Sequence, residues 1–303
     1  QAKYPNIRSY AGKGIDNPSA TIRFSISQLG LKTMTTAAGK SAVFIEPYTS
    51  DFTQYMVYSK KSKDASLNSF ECLVKEDVSN KIKSQNTTVA RPNADDSTLR
   101  TFRLAMSASG EYTTYFGGTK ANALAAINNT MTRVNGIFEI DFGVTLELIA
   151  NTDAVIYTSA NSDPYTTSLN SQLQSTLSSV IGESNYDIGH LVHQGGNNGN
   201  AGCIGCVCVN NQKGSGYTSY GTPEGDNFDV DYVAHEMGHQ FGGNHTWTFN
   251  GNEGANAQVE PGSGSTIMGY AGITGATDIQ AHSDAYFHAI SIQQVTNYVK
   301  TTS

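Results

Sequence analysis

The chain has 303 residues, of which 38% are hydrophobic and 15% charged, with 19 basic and 26 acidic side chains for a net charge of −7. That length holds one large domain or two modest ones. No apolar run approaches the roughly 18 residues of a membrane helix, and the acidic balance argues against a nucleic-acid binder with its basic footprint.

The charge is unevenly placed. Residues 1–99 carry 13 Lys/Arg and 9 Asp/Glu, a net +4, whereas residues 100–303 carry 6 and 17, a net −11. All seven histidines lie from His190 onward, which points to two differently charged bodies in one chain. The first residue, Gln1, opens a polar stretch without the apolar core of a signal peptide. A trimmed, secreted chain is the expectation, consistent with a composition rich in Ser, Thr, Asn, Gly and Tyr.

Residues 20–75 read as β-structure. Ile22, Phe24 and Ile26 alternate with polar residues, Val43-Phe44-Ile45 is a short apolar run, and Tyr55 to Tyr58 is β-prone. Residues 76–98 lose that pattern, contain Arg91-Pro92 and read as an exposed, protease-sensitive linker. The boundary is placed there, giving a β-rich unit over 1–95 and a second unit over 96–303.

From Leu99 onward strand and helix alternate. Phe102, Leu104 and Met106 mark a strand. Leu124, Ile127, Met131, Val134 and Phe138 mark an amphipathic helix over 119–139. Val144, Leu146 and Leu148 form a second strand, Leu169 to Ile181 a second helix, and Ile188 to Val192 a third strand. This order predicts right-handed crossovers and an α/β fold with a mostly parallel sheet. Gly189-His190-Leu191-Val192-His193 is expected at the sheet's edge, where an extended peptide could add as a strand. His190 and His193 are then expected as lining or surface residues and not as ligands. Beyond residue 195 a Gly/Asn-rich loop is expected, interrupted by helices over 228–241 and 284–299.

The decisive segment is His235-Glu236-Met237-Gly238-His239-Gln240-Phe241-Gly242-Gly243-Asn244-His245. On a helix, positions i and i+4 put the imidazoles of His235 and His239 on one face, spaced to share a tetrahedral zinc ion. Glu236 stands next to the first ligand, free to act on a water molecule. Gly242 suits the left-handed conformation that ends a helix, letting His245 return as a third ligand. Three protein ligands and an open fourth position describe a catalytic zinc, not a structural one.

This segment resembles the long zinc signature HExxHxxGxxH of the metzincin metallopeptidases. Ser265-Thr266-Ile267-Met268-Gly269-Tyr270 is similar to the Met-turn of that clan. The stretches opening at Leu99, around His235 and around Met268 look most like secreted bacterial reprolysin-like (adamalysin-related) endopeptidases. Adamalysins place Asp after the third histidine, whereas this chain has Thr246. The resemblance implies a zincin-like catalytic domain with a twisted sheet, an active-site helix and Met268 as a hydrophobic floor under the three imidazoles. It also implies peptide-bond hydrolysis in protein substrates, with Glu236 as general base and Tyr270 as zinc neighbour or oxyanion stabiliser. Residues 1–95 resemble the inhibitory propeptide of such enzymes.

In many metzincin zymogens a propeptide cysteine occupies the open zinc position. Cys72 could do so here, although no familiar motif surrounds it; the alternative is a disulfide to Cys203, Cys206 or Cys208. Within that cluster Cys203–Cys208 is a plausible pair and Cys206–Cys208 a strained one. Glu224, Asp226, Asp229 and Asp231 have calcium-compatible chemistry but no EF-hand spacing. An acidic start favouring the active-site helix dipole is the simpler reading. A rival function is a zinc-bearing adhesin or binding protein that has lost catalysis.

Overall fold

A computed structural model describes residues 3–63, 70–74, 96–251 and 256–302. The alternation seen in the first third resolves into five strands: β1 (Arg8–Lys13), β2 (Thr21–Ser27), β3 (Gly30–Ala37), β4 (Lys40–Pro47) and β5 (Tyr55–Ser59). They form an antiparallel meander in sequential order. The β3–β4 hairpin turns through Gly39, at φ +68°, a conformation that costs glycine nothing. One further short strand, β6 (Glu71–Cys72), leaves this sheet altogether. Most of the expected linker, residues 76–95, lies outside the described residues.

The remaining elements follow the expected alternation: β7 (Arg100–Ala108), α1 (Gly110–Tyr115), α2 (Lys120–Asp141), β8 (Val144–Leu148), α3 (Leu169–Thr176), β9 (Ile188–His193), β10 (Asn198–Asn200), β11 (Gly216–Ser219), α4 (Ala234–Gln240) and α5 (Ala289–Val299). They build a six-stranded sheet in the order β6-β10-β11-β9-β7-β8. Its β8–β7, β7–β9 and β9–β11 pairs are parallel, and β10 runs antiparallel to β11.

Two expectations fail here. β9 lies inside the sheet between β7 and β11; beyond it come β11 and β10, in the stretch expected to be loop, and β6 forms that border. β10 is only three residues of Asn and Gly, too short and too polar for periodicity to reveal. The last helix begins at Ala289, because His288 caps it by accepting a hydrogen bond from the Ile290 amide.

Helix α2 is buried on nearly every face, although its sequence reads as amphipathic. One side packs on the six-stranded sheet, where Asn135 exchanges two hydrogen bonds with the Leu146 backbone. The other side carries the five-stranded sheet, with Ser25 donating to Asn129 and a Cβ on Gly136 set to lie 2.6 Å from Arg23. Met34 and Phe44 of the meander therefore share one apolar core with Val134 and Phe138 of α2. On the opposite sheet face α3 closes a second cluster around Leu173, Leu177 and Leu191.

Candidate metal centre

The chain enters the site through a π-helical turn, Asn227–Val233, continuous with α4. Helix α4 carries His235 and His239 one turn apart and ends near Gly242, whose φ of +96° few other residues tolerate. The chain turns back and delivers His245 to the same point. All three histidines are buried.

Second-layer contacts fix the rings. The His235 Nδ1 proton goes to the Ile267 carbonyl at 2.6 Å, and that of His239 to the Gly243 carbonyl at 2.8 Å. Both rings then present the lone pair of Nε2 to the interior. His239 Nε2 stands 3.2 Å from His235 Nε2 and 3.0 Å from His245 Nε2. Burial holds the histidines neutral: His235 falls to about 4, and His239 and His245 fall well below their usual range. Lone pairs converging this closely repel unless a cation lies between them.

A fourth side chain that could bind a metal here comes from the first third of the chain. Cys72 Sγ lies 3.6 Å from His239 Nε2. The ligand atoms of Cys72, His235, His239 and His245 all lie within 4.8 Å of one another, the one such group among the described residues. Three imidazoles and a thiolate suit zinc in tetrahedral coordination. The disulfide joins Cys203 to Cys206, with a Cα–Cα distance of 5.9 Å, and leaves Cys72 and Cys208 free. The expected Cys203–Cys208 pair and the alternative bridge to Cys72 are therefore both absent.

Backbone pairing delivers Cys72. β6 runs parallel to β10, with the Glu71 amide donating to the Asn197 carbonyl at 3.0 Å and the Leu73 amide to Gly199 at 2.8 Å. Strand alternation turns Phe70 and Cys72 inward and Glu71 outward. Gly199 permits this approach, since a Cβ there would meet Glu236 Oε1 at 2.4 Å. Glu236 is fully buried beneath it. Burial raises its carboxyl to about 8, against the opposing pull of the Cys72 thiol and the Ala201 amide. The Cys72 thiol is itself pushed up by burial and by the facing Glu236.

Tyr270 places its hydroxyl 3.1 Å from His245 Nε2. Met268 is fully buried, its sulfur 2.8 Å from the position of a Cβ on Gly238 and 3.7 Å from one on Gly243. His190 is not a surface residue but a core histidine, bonded to Gln240 and Thr218 at 2.9 Å each. His193, also outside the ligand group, bonds Ser109 Oγ at 2.9 Å.

The acidic run engages cationic and polar side chains instead of gathering into a metal cluster among the described residues. Asp226 meets Lys60 at 3.1 Å, Asp231 meets Lys60 at 2.6 Å, and Asp229 meets Arg133 at 2.8 Å. Glu224 pairs with Lys32 at 3.2 Å.

Two residues that sequence reasoning passed over organise the surroundings. Glu260 accepts from Thr246 and Thr266 hydroxyls at 2.5 Å each and from the Ser265 and Thr266 amides. It ties the segment after His245 to the turn bearing Met268. A carboxylate thus stands beside Thr246 although the chain has no Asp there, and only the pairing of Thr246 with a distant acid could have signalled it. Arg133, in the middle of α2, joins Asp229, Glu46 and the Thr33 carbonyl; a lone arginine on an apolar helix face was the available clue.

Comparison with curated proteins finds no match. The family model described as metallo-peptidase family M12B, reprolysin-like, matches residues 98–299, a span that contains α4, the three histidines and Met268. That family is zinc-dependent, in keeping with the donor set found here. The chain belongs to the reprolysin-like M12B metallopeptidase family.

Proposed function

We propose that the chain is a secreted zinc metalloendopeptidase in its latent form, with residues 1–95 as an inhibitory prodomain and residues 96–303 as the catalytic domain. The observation that carries this reading is the position of Cys72 in one ligand group with His235, His239 and His245. Secretion rests on composition and on the disulfide, which persists in oxidising compartments.

Zinc held by the three histidines would supply a Lewis acid for the scissile carbonyl. The chain's own groups do the rest. Backbone groups of β10 that now pair with Glu71 and Leu73 hold a substrate segment as an added strand. Glu236 takes the proton of the attacking water and hands it to the leaving amine. Tyr270 donates a hydrogen bond to the oxyanion that develops beside His245. In the latent chain Phe70 and Cys72 occupy that groove, and cleavage within 75–95 frees it.

The test is casein turnover by the zinc-loaded chain cut within 75–95. Turnover should be abolished by a chelator, and Glu236→Ala should lower it by about 10²–10⁴-fold, the usual share of general acid–base catalysis. A chain that binds zinc but hydrolyses nothing in either form would instead be a binding protein of this fold.

A further inference from the structure

Phe70 sits in a slot beside the metal ligands, its ring stacked on Tyr232 with centroids 3.9 Å apart and planes 9° apart. The slot is lined by Asp231, Tyr232, His235, Tyr270, Ala271 and Ile273. Its walls combine the rings of Tyr232 and Tyr270 with Ala271 and Ile273, and one lining group is a carboxylate. Asp231 is 7% exposed, and its Oδ1 lies 2.6 Å from Lys60 Nζ. Lys60 reaches on to Asp226 Oδ2 at 3.1 Å. On the other side Asp231 Oδ2 faces His282 Nδ1 at 3.6 Å and the Ser283 amide at 3.4 Å.

The Phe70 ring in the slot and the Lys60 ammonium against Asp231 both come from the first 95 residues. If that part departs, as the proposed function requires, the slot opens next to His235 and Tyr270. It keeps an aromatic wall, and Asp231 loses the Lys60 ammonium while keeping His282 and the Ser283 amide. The Asp231 Oδ1, which faced Lys60, is then left without an ion pair, and a cationic side chain entering the slot restores it.

We infer that this slot is a substrate subsite for a lysine or arginine side chain at one of the two positions flanking the cleaved bond. The methylene stem lies on Tyr232, where Phe70 now stacks, and the charged end meets Asp231, where Lys60 now sits. Two side chains of the first 95 residues, Phe70 on Tyr232 and Lys60 on Asp231, display those two halves of one basic side chain. The inference rests on the peptidase reading, which supplies the substrate.

The test uses the zinc-loaded chain with residues 75–95 cut by a sequence-specific cysteine protease at an inserted site, then repurified, so that no trypsin-like activity is present. It is offered an equimolar peptide library and the products are read by mass spectrometry. Lys and Arg should be enriched at least tenfold at one flanking position. Asp231→Asn should reduce the ratio of basic to aromatic residues there at least tenfold. Butylguanidine should compete with substrate in the unsubstituted enzyme, whereas butanol at equal concentration should not, a readout that survives a folding failure of the variant.

Enrichment of Phe, Tyr or Leu, or equal inhibition by butanol and butylguanidine, would overturn the subsite. Absence of any cleavage would overturn the peptidase reading, and the subsite with it.

Discussion

Cys72 and His239, 167 residues apart in the chain, bring Sγ and Nε2 to 3.6 Å. The contact is made by backbone register: β6 pairs with β10, and β10 crosses directly over Glu236. Latency by this contact predicts that Cys72→Ala raises casein hydrolysis by the uncut chain at least tenfold, or causes self-degradation. Full latency of the variant until residues 75–95 are cut would show that strand occupancy alone blocks the groove.

Lys60 supplies a second attachment. Its ammonium, 3% exposed, bridges Asp226 and Asp231. Its loss leaves Asp226 paired with Lys63 and Asp231 facing His282, and removing one partner of a buried pair costs up to roughly 3–5 kcal/mol. Lys60→Met should therefore lower the denaturant stability of the uncut chain by about that amount. High salt should do much less, because buried pairs are weakly screened. Unchanged stability in Lys60→Met would remove the attachment. The +4 and −11 halves meet through this pair and through Lys3–Asp153, Arg23–Glu139 and Lys32–Glu224 at the margins.

Glu260 gathers hydrogen bonds from both sides of the metal centre. Glu260→Ala removes the acceptor that joins Thr246, next to His245, to Thr266, two residues before Met268. Outer-layer partners of this kind are worth about 10–100-fold in metal affinity. Competition with a chromogenic chelator measures it; zinc affinity within twofold of the parent would refute the role.

Asp141 gives a pH signature. Burial raises its carboxyl to about 6, partly opposed by the hydrogen bond from the Phe287 amide. The folded chain therefore binds a proton more readily than the unfolded chain between about pH 4 and 6. Stability from this group falls as pH rises through that window and stays low above it. Asp141→Asn should stabilise the protein at pH 7.5, by up to about 3 kcal/mol for a two-unit shift, and have little effect at pH 4. Equal effects at both pH values would contradict this assignment.

The grouping of His235, His239 and His245 was legible because two of its members obey helical spacing and the third follows a glycine that must turn the chain. Strands β7, β8 and β9 were legible from alternation, and α2 from its apolar repeat. β10 was hidden because its three residues carry no period, so β9 was expected at an edge that it does not form. The Cys203–Cys206 bridge was hidden because the spacing of three nearby cysteines permits several pairings. Lys60, Arg133 and Glu260 were hidden for another reason: each matters through a partner at least 14 residues away, and no local pattern marks such a pairing.

Cobalt(II) in place of zinc reports the ligands and the chemistry together. Bound to the uncut chain, it should give a thiolate-to-cobalt charge-transfer band and the intense visible absorption of a tetrahedral site. That band should disappear on cutting within 75–95, in step with the appearance of casein hydrolysis. A band missing from the uncut chain, or one that persists at full hydrolytic rate, would contradict a Cys72-held latent peptidase.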